Sequence, residues 1–198
     1  MRSVRLYDVL VRMVNYLQEC SSLRSVKTHT IYSKLVTSDS VIVDLGANRG
    51  QFVSGVKQMF NCRCYAVEPV PTLWEQIESG GKIKKFNYAI SSQEKPVELY
   101  ISSNAECHSI HESVAATYGI LKTITVRGIT LESLLREEKI KSIDLLKIDI
   151  EGSEKELFEA TLDETLGNVK QITIEFHDFI DGSISRESVQ DICKKLKK

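Results

Sequence analysis

The stretch Val41-Ile42-Val43-Asp44-Leu45-Gly46-Ala47-Asn48-Arg49-Gly50 joins a β-branched run to a loop holding two glycines, and behind it Phe52, Val53, Val56, Met59 and Phe60 recur at helical spacing. That order predicts a strand, a tight loop and a helix. Outward from it the same unit repeats. Cys64-Tyr65-Ala66-Val67 predicts a second strand ending at Glu68-Pro69, with a helix from about Pro71, where proline is tolerated in the first turn. Residues 82–90, 143–150 and 169–177 predict further strands, and helices are expected at 131–139, after Ser153 (read as the cap), and at 186–198. The segments 97–102 and 122–127 alternate as an inserted antiparallel pair, separated by a polar loop that carries Cys107, His108 and His111. Strands alternating with helices imply an α/β, Rossmann-like fold, a mostly parallel sheet with helices on both faces. Residues 1–40 are expected to form an amphipathic helical cap and a polar connector with one short helix, leaving 41–198 as one domain.

Composition narrows the function. The 198 residues carry 26 basic and 27 acidic side chains, net charge −1. Such a balance gives no global field for nucleic acid or an anionic membrane, so neither is an expected partner. Five cysteines without paired spacing predict a reducing, cytoplasmic setting. No apolar run approaches the roughly 18 residues of a membrane span, and no signal peptide is legible.

In open parallel sheets the ligand lies beyond the carboxyl ends of the strands. The loop after the first strand brings Asp44, Gly46 and Gly50 there, and Glu68 ends the second strand 24 residues beyond Asp44. That interval, near the usual distance of about 20, suits an acid that binds ribose hydroxyls. The dinucleotide fingerprint fails, because Asn48 and Gln51 stand where it needs glycine, and no P-loop occurs. Asp44 is unfavourable beside a diphosphate but suits the cationic amino-acid end of S-adenosylmethionine, the expected cofactor. At the next strand ends Asp149, Glu151, Glu175 and His177 are expected to reach one cleft edge. His177 is read as general base, Asp149 as lying near donor or acceptor, and Glu151 and Glu175 as orienting groups. The competing reading makes Glu151 a helix cap and His177 a strand-end hydrogen bonder. Asp149, Glu151 and Glu175 are also hard oxygen donors of the kind magnesium takes, but nothing in the sequence fixes their geometry, and a metal-free site is expected. Lys147, in a strand buried on both faces, is expected to pair with a carboxylate at the sheet end.

Six segments, VDLGANRGQF (43–52), AVEPVP (66–71), NYAIS (87–91), ITLESLL (129–135), IDLLKIDIEGSEKELFEA (143–160) and ITIEFHD (172–178), resemble in order and spacing the motifs of the FkbM-type S-adenosylmethionine-dependent methyltransferases. The resemblance implies a class I methyltransferase fold and methyl transfer to hydroxyl oxygens of small-molecule or saccharide acceptors. It implies that Asp44, Gly46, Ala47, Asn48 and Gly50 hold the methionine end, that Glu68, followed by Pro69, binds the ribose, and that Asn87 and Ala89 border the adenine. The chain departs from the pattern at Glu132 and in its short N-terminal region, and it stops one helix after the fifth strand, apparently lacking the antiparallel hairpin expected there. Such an ending leaves an exposed sheet edge, which predicts cover by the inserted strands or a homodimer. The rival expectation is a catalytically impaired methyltransferase fold retained as a binding partner or scaffold.

Overall fold

The computed structural model describes residues 22–104, 107–178 and 184–197; the expected N-terminal helix lies outside them. In chain order the elements are β1 (Leu23–Val26), β2 (His29–Tyr32), a 3-10 turn (Ser33–Leu35), β3 (Val41–Leu45), α1 (Gln51–Phe60), β4 (Arg63–Val67), α2 (Pro71–Trp74), β5 (Ile83–Phe86), β6 (Tyr88–Ile90), β7 (Pro96–Ser102), α3 (Glu112–Ala116), β8 (Ile120–Ile129), α4 (Leu131–Glu137), β9 (Leu145–Ile148), α5 (Glu154–Ala160), α6 (Asp163–Gly167), β10 (Ile172–Ile174) and α7 (Arg186–Lys195). Five strands pair in the order β10-β9-β3-β4-β5, all parallel. A second sheet, β6-β8-β7, carries the antiparallel pair read from 97–102 and 122–127.

Period-two alternation along β3 splits the core. Val43 and Leu45 pack with Leu131, Leu134, Leu157 and Phe158 under α4 and α5. Ile42 packs on the opposite face with Val53 and Val56 of α1 and with Val26 and Ile31 of the β1–β2 hairpin. Full burial of each such side chain contributes about 1.5–3 kcal/mol, which makes this a Rossmann-like α/β sheet flanked by helices on both faces.

Several local expectations change. The polar connector contains a hairpin rather than a short helix alone: Leu23↔Tyr32 through Val26↔His29 pair antiparallel. Its signal is weak in sequence because only alternate residues, Val26, His29 and Ile31, are buried. The strand read at 82–90 breaks at Asn87 into β5 and β6, which belong to different sheets. The cause is the Asn87 side chain, whose Nδ2 donates to the carbonyls of Glu68 and Pro69, both at 2.9 Å. The last strand contracts to Ile172–Ile174. Ser153 makes no side-chain cap; instead the Gly152 N–H donates to Glu154 Oε1 at 3.2 Å.

Candidate active site

The carboxyl ends of β3, β4 and β9 open onto a cleft of about 350 Å³, within the range of small-molecule and cofactor sites of about 300–1,000 Å³. Gly46 sets its floor. Its φ is +79°, and a Cβ there would lie 1.7 Å from the Asp149 carbonyl oxygen, so only glycine lets the β3 loop lie against the end of β9. Gly46 and Ala47 donate their amides back to the Val67 carbonyl at 3.0 and 2.9 Å, which ties the loop to β4 as well.

Glu68 secures the other side of that loop. Oε2 accepts from the Asn48 amide and Oε1 from the Val70 amide, both at 2.8 Å. Burial pushes its pKa up to about 7 while those two amides oppose the rise. An ionised carboxylate offers about four lone-pair sites, so two stay available beyond those amides.

Asp44 and Lys147 are cross-strand partners on one sheet face. The Lys147 ammonium donates to the Gly46 carbonyl at 2.6 Å and stands 3.2 Å from Asp44 Oδ1 and 3.3 Å from Asp149 Oδ2. The expected lysine–carboxylate pairing is therefore present, with two carboxylates instead of one. Burial opposes the ammonium's charge, but Asp44 and Asp149 outweigh it and hold the Lys147 pKa up. For Asp44 burial wins over Lys147, and its pKa is raised. Asp44 is fully buried beneath Lys147, and Lys147 rather than Asp44 lines the cleft. Asp44, expected to hold the methionine end, is set behind the ammonium and bears on the cleft through it. Gly50 caps α1 with φ +74° and Asn87 pins the Glu68-Pro69 turn, so both support the cleft-lining loops without themselves lining the cleft.

On the remaining wall Asp149, Glu151, Glu175 and His177 do converge. Strand alternation is not what aligns them, since β9 ends at Ile148 and Glu151 has φ +51° in the turn that follows. His177 is buried, with Nδ1 2.9 Å from Glu154 Oε1 and Nε2 3.3 Å from Glu151 Oε2 and 3.8 Å from Asp149 Oδ1. Burial disfavours its charge, yet Glu151 and Glu154 hold its pKa up to about 10. The two carboxylates thus favour the imidazolium form of the ring, which weighs against the reading of His177 as general base. Asp149 is held at about 2: burial would raise it, but His29, Lys147 and His177 prevail. Burial raises Glu151 against the pull of His177.

Sequence reasoning missed two contributors. His29, from the hairpin, faces Asp149 Oδ2 with Nε2 at 3.8 Å. Ser109, from the insert between β7 and β8, donates Oγ–H to the Glu151 carbonyl at 2.6 Å and so pins the left-handed turn. The insert also supplies Cys107, His108, Ile110 and Tyr118 to the cleft. The inserted pair of strands was itself the signal that its loop had something to cover.

A family model, the methyltransferase FkbM domain, matches residues 44–198. A crystal structure of methyltransferase FkbM from Methylobacillus flagellatus KT aligns with a TM-score of 0.46 at 14% identity, covering 77% of this chain and 39% of that chain. The present chain thus spans about 39% of the length of the solved structure it matches. No curated protein matches it.

Proposed function

Since the chain belongs to the FkbM methyltransferase domain family, we propose that it is an S-adenosylmethionine-dependent O-methyltransferase acting on a hydroxyl of a small-molecule or saccharide acceptor. The observation that carries this reading is the contact of Gly46 with the Asp149 carbonyl. It sets a glycine loop, the ribose-type acid Glu68 and the Asp149, Glu151 and His177 cluster around one cleft.

The residues present fit the cofactor. Gly46, Ala47 and Asn48 would border its amino-acid end, Glu68 its ribose, and Pro69, Leu73, Ala89 and Ile90 the base. When bound, S-adenosylmethionine supplies a methyl carbon already activated by a sulfonium. What remains for the protein is alignment, worth up to about 7–11 kcal/mol in well-oriented cases, and removal of the acceptor's proton. With His177 cationic, that second task falls to Glu151. Its raised pKa brings it toward the operating pH, as a general base requires, and it lines the cleft. His177 orients Glu151 through Nε2 while Glu154 holds the ring at Nδ1. Asp149, ionised throughout the physiological range, keeps the cleft attractive to a cationic donor.

Isothermal titration with S-adenosylhomocysteine tests the cofactor half of this reading. Saturable binding is expected, and folded protein that takes up no heat from S-adenosylmethionine or S-adenosylhomocysteine sinks it. For the chemistry, Glu151→Gln is expected to lower methyl transfer about 10²–10⁴-fold with cofactor affinity retained, measured with radiolabelled donor across a panel of sugars and hydroxylated small molecules. Normal cofactor binding with no turnover across that panel favours the scaffold reading instead.

A further inference from the structure

The family match begins at residue 44, yet one wall of the cleft comes from before it. The β1–β2 hairpin turns at Lys27 and Thr28, with Lys27 at φ +53°, and both residues line the cleft. The next residue, His29, is buried, only 4% exposed. Its ring is fixed at three places. Nδ1 lies 3.3 Å from the Thr173 hydroxyl on β10. The ring stands edge-on to Phe52 of α1, with centroids 5.6 Å apart and an interplanar angle of 78°. Nε2 faces Asp149 Oδ2 at 3.8 Å. With the Thr173 hydroxyl donating to Nδ1, the tautomer that satisfies this arrangement carries its hydrogen on Nε2, aimed at Asp149. At 3.8 Å the contact is longer than a direct hydrogen bond and acts electrostatically.

Asp149 thereby stands between groups from four parts of the chain. His29 and Lys147 face its Oδ2, at 3.8 and 3.3 Å, and His177 faces its Oδ1 at 3.8 Å, while its carbonyl oxygen meets Gly46. Lys147 is shared with Asp44 and with the Gly46 carbonyl, and His177 with Glu151 and Glu154. His29 stands 3.8 Å from Asp149, and a Glu175 carboxylate oxygen lies within 4.8 Å of both a His29 ring nitrogen and an Asp149 carboxylate oxygen. A buried imidazole placed beside two cleft-lining carboxylates, Asp149 and Glu175, on a hairpin whose tip lines the same cleft, is more than core filling requires.

We propose that His29 is a positioning residue of the active site, contributed by the hairpin that precedes the matched domain, and that it fixes the orientation and the ionised state of Asp149. The hairpin is then part of the catalytic unit, with Lys27 and Thr28 beside the acceptor. This inference rests on the methyltransferase reading only for what Asp149 is used for; the coupling itself is a property of the chain.

Carbon-13 NMR of aspartate labelled at Cγ tests it without an acceptor. In wild type the Asp149 carboxyl should titrate far below the ordinary range, and the His29 ring nitrogen resonance should shift with the same midpoint. In His29→Phe, which keeps an aromatic edge against Phe52, the Asp149 midpoint is expected to rise by about one unit or more. His29→Gln, which retains an N–H donor, should recover part of the shift. An Asp149 midpoint unchanged in folded His29→Phe, or a wild-type His29 resonance indifferent to the Asp149 titration, overturns the proposal. Should His29→Phe fail to fold, the wild-type coupling still decides. S-adenosylhomocysteine titration of the same samples separates the two readings. Coupling without binding removes the methyltransferase reading and leaves the positioning role, whereas binding without coupling does the reverse.

Discussion

Lys147 decides most at the scale of a single residue. Its three protons meet the Gly46 carbonyl, Asp44 and Asp149, and removing one partner of a buried ionic cluster typically costs about 3–5 kcal/mol. Lys147→Met is expected to lose that much stability in urea unfolding, with Lys147→Arg recovering only part of it, because the broader guanidinium cannot occupy the same point between two strands. Glu68 gives a pH signature. Its folded pKa of about 7 lies above the ordinary value of 4.5, so the folded chain binds the proton more tightly. The stability it contributes is present below about pH 4.5 and is lost as pH rises through about 7. Glu68→Gln should flatten this stretch of the stability profile, a change of roughly 3 kcal/mol across it. Gly46→Ala places a methyl group on the Asp149 carbonyl, and at least a tenfold loss of S-adenosylhomocysteine affinity is expected by titration. Such residues were legible in sequence as types at strand ends. Which of them touch the cleft was not, because Asp44 and Lys147 exchange roles through a register between strands some hundred residues apart.

Among the elements, the insert between β7 and β8 is fastened to the site by side chains, as the β1–β2 hairpin is through His29. Ser109 holds the Glu151 carbonyl, and His111 Nε2 lies 3.3 Å from Glu156 Oε1 on α5. The close contact with Glu156 raises the His111 pKa against burial, while His111 holds Glu156 low in spite of its own burial. The pair's contribution is therefore greatest between the ordinary carboxylate value of about 4.5 and the ordinary histidine value of about 6.5: it is lost as pH rises through the raised histidine value and as pH falls through the lowered Glu156 one. Hydrogen exchange should therefore show the amides of 109–116 better protected in wild type than in His111→Gln near pH 6, with the difference vanishing at alkaline pH. S-adenosylhomocysteine affinity is expected to be the same in both. The strands flanking the insert could be read from their alternation, whereas its attachment could not, since single serine and histidine contacts leave no periodic trace. The break at Asn87 was hidden for a related reason: one amide redirects the chain between two segments of good strand composition.

At the scale of the whole molecule, the parallel sheet and its helices were legible because the apolar runs alternate with helical spacing along most of the chain. The β1–β2 hairpin was not, since its short strands are largely polar and find their partners on β10 and α1. It bears on the edge strand of the sheet. The Gln171 side-chain amide, just before β10, accepts from the Tyr32 N–H at 3.0 Å and donates to the Tyr32 carbonyl at 3.3 Å, imitating one rung of a ladder. No helix among the described residues is long and apolar enough to cross a membrane. Homodimer formation through the edge beside β10 remains our expectation, to be read by light scattering over a range of concentrations; a concentration-independent monomer mass counts against it.

The ties that build the site are also long in sequence. Lys147 reaches Gly46 across 101 residues, Asp144 reaches the Val41 amide across 103 and His29 reaches Thr173 across 144. Each must wait for a loop of that length to close, so contacts of this kind form late and slow folding. A chain emerging from the ribosome with its glycine loop already made has no cleft until β9 and β10 have been synthesised and docked. Competence for the cofactor therefore reports completed folding, and a nascent or nicked chain would hold its two halves of the site as separate, inert pieces.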